Sequence, residues 1–244
     1  MNTAEKEYVY GLNPAFEVVR ASRRRVYHAY LNASSGTNPR LVKLSGLLQK
    51  HTIPVSRVEK GRLISLCNSR EHQGVVLECS PYPYVPAAIL LEKNLLLLLD
   101  NIEDPHNVGA ILRSADIFGY EGVMLPVRGV PEIYPSVVKA SAGASEFLNV
   151  CRDMAANAYV RAAKNAGFSV VVLDGKGTVD IHDSALAQCA KLLLVIGGED
   201  ASVGHYIINA ADYVARIEQK GNINSLNASV AAGVAMFALS RHCS

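Results

Sequence analysis

The stretch Asn101-Ile-Glu-Asp-Pro-His-Asn-Val-Gly-Ala-Ile-Leu-Arg-Ser-Ala115 decides how the rest of the chain is read. It follows Leu95-Leu-Leu-Leu-Leu-Asp100, an almost unbroken leucine run of the kind that forms a strand buried on both faces. Asp104-Pro105 ends that strand, because proline lacks an N–H and turns the residue before it away from helix. Asn107 is well typed as a helix N-cap. Ile111, Leu112 and Ala115 give the helix that follows an apolar face, with Arg113 about two turns inside. Strand, tight turn and helix therefore set Asp104, His106, Asn107 and Arg113 near the carboxyl end of a buried strand, the usual ligand-binding edge of an open α/β sheet. Taken alone, the same residues serve equally for an ordinary βα turn with a capping Asn and a solvated Arg.

Working outward from this unit, apolar runs and mixed segments alternate regularly. Strands are expected at residues 122–125, 147–150, 169–173, 192–196 and 213–217, with helices at 136–142, 152–166 and from 225 through 239. That is βαβ repetition and predicts a mainly parallel sheet. Upstream, residues 8–13 introduce a helix with apolar Ala15, Phe16, Val18 and Val19, ending in Arg23-Arg24-Arg25. Strands at 26–31, 53–58 and 74–79 and helices at 41–51 and 62–67 complete the order α-β-α-β-α-β, a small α/β sandwich. Between the halves, residues 80–94 carry three prolines and read as a semi-rigid connector. The expected layout is thus a first domain over 1–79, a linker over 80–94 and a second domain over 95–244.

Hydrophobic residues at 50% and charged residues at 19% describe a globular chain with an ample core. No apolar run reaches the roughly 18 residues of a membrane helix, and Met1-Asn-Thr-Ala-Glu-Lys-Glu7 has no apolar core of a signal peptide, so a cytosolic protein is expected. Cys67, Cys79, Cys151, Cys189 and Cys243 show no metal-ligand spacing and read as reduced small hydrophobes. No metal is expected. Charge is uneven: residues 1–84 hold 12 Lys and Arg against 6 Asp and Glu, and the remainder 12 against 16. A basic front third suits a polyanion, and Arg23, Arg24 and Arg25 are its candidate phosphate contacts, or else partners of the helix C-terminal dipole.

Three loops, 101–107, 197–204 and 218–225, follow buried strands and are rich in Gly, Asn or Ser, which leaves backbone groups free to hold a polar ligand. Neither G-x-G-x-x-G after a strand nor G-x-x-x-x-G-K-[ST] occurs, which disfavours a conventional dinucleotide fold and a P-loop. Ser225 and Asn227 read as helix-capping residues.

Residues 101–115, 192–199 and 217–232 resemble, in order, the three signature motifs of the SpoU/TrmH family of RNA 2′-O-ribose methyltransferases, of the trefoil-knotted SPOUT class. Lys139-Ala-Ser-Ala-Gly-Ala144 also matches, and Tyr10-Gly-Leu12 and His72-Gln-Gly-Val-Val76 resemble the small L30e-like substrate-binding domain that precedes the catalytic domain in many members. The resemblance implies S-adenosylmethionine bent into a knot formed by the second and third motif loops. Gly197, Gly198, Glu199, Ile217, Leu226 and Asn227 would line the cofactor, and Asn107, Arg113, Glu199 and Ser225 would occupy the catalytic positions. It further implies a homodimer whose interface completes the site. The layout is most similar to members that modify a guanosine of large-subunit ribosomal RNA, with tRNA the next possibility. An ordinary guanidinium stays protonated, so Arg113 is read as orienting and activating the 2′-oxygen, with water, an RNA phosphate or Glu199 as base. Where the family has Pro-Met in its third motif this chain has Glu218-Gln219, and Asp200 and Ser202 replace glycines of the second. These departures are the best support for the alternative of a non-catalytic RNA-binding or ribosome-assembly factor.

Overall fold

In the computed structural model, which describes residues 6–35, 38–198, 203–221 and 225–240, the chain starts with a strand, where a helix is expected first. β1 (Glu7–Tyr10) precedes α1 (Leu12–Ala21). Its Tyr-Val-Tyr segment suits a paired strand, and four residues are too few to show a period. Gly11, at φ 100°, turns strand into helix, a backbone angle that favours glycine. β2 (Val26–Asn32), α2 (Pro39–Lys50), β3 (Val55–Val58), α3 (Lys60–Cys67) and β4 (Val75–Cys79) follow close to their expected positions. The sheet order is β1-β4-β2-β3. β1 and β2 pair antiparallel with β4, and β3 joins β2 in parallel. α1 buries Leu12, Ala15, Phe16, Val18 and Val19, the larger of them worth roughly 1.5–3 kcal/mol each.

After a short helix, α4 (Ala87–Leu90), the second sheet opens with β5 (Leu95–Asp100), α5 (Pro105–Ile117) and β6 (Gly122–Met124). The chain continues through α6 (Pro135–Ala140), β7 (Val150–Cys151), α7 (Ala156–Asn165), β8 (Ser169–Leu173), β9 (Val179–Asp180), α8 (Ser184–Ala187), β10 (Leu192–Gly197), α9 (His205–Ala210), β11 (Tyr213–Arg216) and α10 (Ala228–Ser240). Among the described residues this sheet has seven strands in the order β7-β6-β5-β10-β8-β11-β9, every pair parallel. The mainly parallel sheet expected from βαβ repetition is wholly parallel. From β5 the chain steps outward to β6 and β7, returns beyond the gap as β8, and fills the gap later with β10. The order therefore reverses between β5 and β10. All six residues of β5 are buried. Leu96 and Leu98 share a cluster with Val170, Val172, Leu193 and Val195 and with Tyr159, Val160 and Ala163 of α7. The opposite side chains, Leu97 and Leu99, face the other side of the sheet, where α10 packs on β10 and on α5.

The two units do not divide the chain at one point. Residues 1–83 and Ile133–Phe147, including α6, form one; Tyr84–Glu132 and the chain from Leu148 onward form the other. Gly143 shows how the second segment of the first unit seats: at φ 92°, its missing Cβ would lie 2.7 Å from Cβ of Glu17 and 3.2 Å from Cα of Pro14. No helix among the described residues is long and apolar enough to cross a membrane. The motif loops that would carry the implied knot include residues 199–202 and 222–224, which lie outside the described residues.

Candidate active site

Parallel pairing brings the strand ends level. Asp100 pairs with Gly197, and Leu99 with Ile196, which pairs in turn with Leu173. The loops leaving β5, β8 and β10 therefore start side by side at the carboxyl edge, next to the point where strand order reverses, which is where open α/β sheets bind ligands.

A cavity of about 690 Å³ opens there, within the range of small-molecule sites, about 300–1,000 Å³. Ile196, Gly197 and Gly198 form one wall, Arg216 to Gln219 another, and Ser225, Leu226, Ala228 and Ala231 a third. Of the residues expected to hold a cofactor, Gly197, Gly198, Ile217 and Leu226 line this space together, with Ser225 beside them. Glu199 lies outside the described residues, as do Asp200 and Ser202. Glu218 and Gln219, the departures from the family pattern, are on the wall itself. A fourth wall was missed: Leu173, Asp174, Gly175 and Lys176, after β8. Asp174 Oδ1 accepts from the Lys176 N–H at 2.8 Å, a tight turn whose only sequence signal is Asp174-Gly-Lys-Gly177. Gly177 is needed there because a Cβ would stand 2.6 Å from the carbonyl oxygen of Val214.

Asn107 is not the cap of α5. Asp104 is: its Oδ1 accepts from the His106 N–H at 2.9 Å, and Pro105 takes the first helical position, where its missing N–H costs nothing. Asn107, one turn in, instead accepts on Oδ1 from Asn227 Nδ2 at 3.1 Å. The first and third motifs thus meet through two amides 120 residues apart. Asn227 also caps α10, its Oδ1 accepting from the N–H groups of Ser229 at 3.0 Å and Val230 at 3.3 Å, so the capping role falls to Asn227 and not to Ser225. Arg113 is exposed on α5 and is not among the cavity residues. Asp100, also missed, is buried and ties the loops together: its Oδ2 accepts from Gly204 N–H at 3.0 Å and its carbonyl from Gly198 N–H at 3.1 Å. A carboxylate closing a leucine run was the available signal.

Arg23, Arg24 and Arg25 do not act as a set. Arg24 is 5% exposed. Its Nε donates to Glu146 Oε2 at 3.0 Å, its Nη2 lies 2.9 Å from Glu146 Oε1, and its Nη1 pairs with Glu7. The expectation that Arg24 contacts RNA is corrected: its charge is neutralised inside the protein. Arg23 donates to the carbonyls of Glu146 and Pro83, and Arg25 is exposed, its guanidinium 5.3 Å from the Tyr27 ring centroid. Cys79 and Cys151 are buried, which pushes both thiols up to about 12, far from the reactive range.

A wholly parallel α/β sheet with a ligand-sized cavity at its switch point, preceded in the chain by a separate mixed sheet, defines a two-unit α/β binding protein or enzyme. Residues 94–237 match the SpoU rRNA Methylase family, and residues 8–85 match the RNA 2′-O ribose methyltransferase substrate-binding family. An uncharacterized tRNA/rRNA methyltransferase of Archaeoglobus fulgidus is 33% identical over 222 residues, covering 89% of this chain and 90% of its own. One of Mycobacterium avium is 32% identical over 245 residues, covering 98% and 78%. Among solved structures, the SpoU methyltransferase AviRb of Streptomyces viridochromogenes in complex with AdoMet superposes with a TM-score of 0.79 at 23% identity, over 97% of this chain and 90% of its own. An AdoMet-bound rRNA methyltransferase of Sinorhizobium meliloti gives 0.78 at 22%, over 97% and 87%. At these identities the structural likeness carries the fold. The chain belongs to the SpoU rRNA methylase family and carries that family's RNA 2′-O-ribose methyltransferase substrate-binding domain.

Proposed function

We propose that the protein methylates a ribose 2′-hydroxyl of structured RNA, with S-adenosylmethionine as methyl donor and large-subunit ribosomal RNA as substrate. The observation that carries the reading is the cavity at the switch point, where Gly197, Gly198, Ile217 and Leu226 converge from two loops. Glycine backbone, apolar side chains and a polar rim at Asp174 and Ser225 are a fitting donor set for a purine and its sugar. When bound, the cofactor supplies an electrophilic methyl on a sulfonium, already a good leaving group.

The chain's own residues then have three tasks. Gly197, Gly198, Glu199, Ile217, Leu226 and Asn227 hold the cofactor. Asn107, fixed by Asn227, and Ser225 orient the reactants, a contribution of up to about 7–11 kcal/mol for ideal alignment. Arg113 stabilises the 2′-oxygen as its proton passes to water, an RNA phosphate or Glu199. Residues 1–79 serve as the RNA-binding domain and 80–94 as linker, and 95–244 carry the knotted methyltransferase, apart from Ile133–Phe147, which belong to the first unit. Both curated relatives described above carry tRNA/rRNA in their names, and the two-domain layout favours rRNA within that pair. A homodimer is supported by Val230, Val234 and Phe237, exposed at 51%, 38% and 46% along one stripe of α10, and by Ile117 of α5 at 67%.

The test is methyl transfer from labelled S-adenosylmethionine to total RNA, with products mapped by ribose-methylation-sensitive sequencing. Signal at one ribosomal position is expected, with Arg113→Ala lowering turnover at least a hundredfold, on the order of an oxyanion-type contact, while calorimetric cofactor binding stays unchanged. Glu218 and Gln219 on the cavity wall favour one competing reading, a binding factor that has lost the cofactor. Absence of both methyl transfer and cofactor binding would establish it.

A further inference from the structure

Two motifs quoted above, Tyr10-Gly-Leu12 and Lys139-Ala-Ser141, have no role in the cavity, and within the first unit they meet. The Lys139 stem lies along Gly11: a Cβ on that glycine would stand 2.8 Å from Lys139 Nζ, 3.0 Å from Cδ and 3.3 Å from Cε. Gly11 is thus required twice, for its φ of 100° and for the space the lysine fills. Beside it, the Leu12 N–H donates to Oε1 of Gln73 at 3.0 Å, which brings the Gln73 amide to the same corner. One residue further, Asn13 Oδ1 accepts from Nη2 of Arg40 at 2.5 Å, which anchors an exposed guanidinium on the first turn of α1.

Among the described residues Lys139 Nζ has no hydrogen-bond acceptor and no carboxylate within ion-pair distance. Burial pushes its ammonium down from the ordinary value, and the more distant Glu71 offsets this only in part. Its Nζ is not among the buried polar atoms that lack a partner, so a half-buried stem carries an ammonium that an anionic ligand can reach. Arg24 shows the contrast, its charge spent on Glu146 and Glu7.

We propose that Lys139, seated on Gly11, is the phosphate contact of the substrate-binding unit and takes one phosphodiester of the RNA chain. This rests on the reading of the protein as an RNA-binding enzyme, and it replaces the Arg23–Arg25 run as the place where that unit grips the backbone. A phosphate contact positions RNA without reading its sequence.

The experiment is RNA affinity over a salt series for the full chain, Lys139→Gln and Lys139→Arg, with thermal unfolding alongside. Lys139→Gln is expected to weaken every RNA sequence alike and to lower the slope of log affinity against log salt by about one, with Lys139→Arg restoring the slope. An unchanged slope in Lys139→Gln overturns the assignment, and a fall in thermal stability with the slope unchanged would mark Lys139 as structural. RNA binding by the wild type without methyl transfer would sink the catalytic reading alone, and Lys139→Gln would still decide this one. No RNA binding by the wild type overturns both.

Discussion

Glu78 shows how a single side chain ties stability to pH. It sits in β4 opposite Tyr8, is 7% exposed, and accepts from Lys6 and, at 3.0 Å, from the Tyr30 hydroxyl. The Lys6 hydrogen bond first, then that of Tyr30, holds its carboxyl below the ordinary value of 4.5 against the opposing effect of burial. A carboxylate depressed in the folded state stabilises it above its unfolded value, and the contribution is lost as pH falls through the folded one. Glu78→Gln is therefore expected to flatten the fall in Tm below pH 4.5; parallel curves for the two proteins would remove the assignment. At the same scale, Arg24 could not be read correctly from sequence. Three consecutive arginines look like a surface patch, and the burial of the middle one depends on Glu146, 122 residues away. Pairings at that separation leave no local periodicity.

Among the elements, β5 and β8 run over the residues expected of them, because a fully buried parallel strand writes itself as an apolar run bounded by polar residues. β9, with two residues, α8, with four, and α9, with six, are too short to show a period and went unseen. The cap of α5 was misassigned for a different reason: Asp104 and Asn107 are both good capping residues, and only the φ preset by Pro105 decides between them. α10 yields an element-scale prediction. Asn227→Ala removes both its cap and the bond to Asn107, and is expected to cost about 1–2 kcal/mol in chemical denaturation. Asn227→Asp keeps the cap and loses the amide donor, so stability should hold while methyl transfer falls. Equal loss of activity and stability in both variants would mean the amide bridge has no role beyond packing.

For the molecule as a whole, the parallel class of the main sheet was legible in the sequence, and so were the loops that line the cavity from Gly197, Gly198, Ile217 and Leu226. The wall at Leu173–Lys176 was not, since its place depends on β8 lying next to β10, a neighbour in space and not in sequence. The apolar stripe of α10 predicts association: equilibrium sedimentation of the full chain should give a dimer, and Val234→Glu with Phe237→Glu should give a folded monomer. A monomeric wild type at micromolar concentration would leave the stripe without that role.

The unit made of residues 1–83 and Ile133–Phe147 also constrains how such a protein can be recombined. A crossover in the proline-rich connector would move α1 and Arg24 into a new host but leave Gly143 and Glu146 behind. The transplanted half would then carry a buried guanidinium without its main counter-ion. This unit is therefore not a cassette that one cut can exchange; a chimera has to graft both pieces, or inherit a host segment whose glycine and carboxylate already fit.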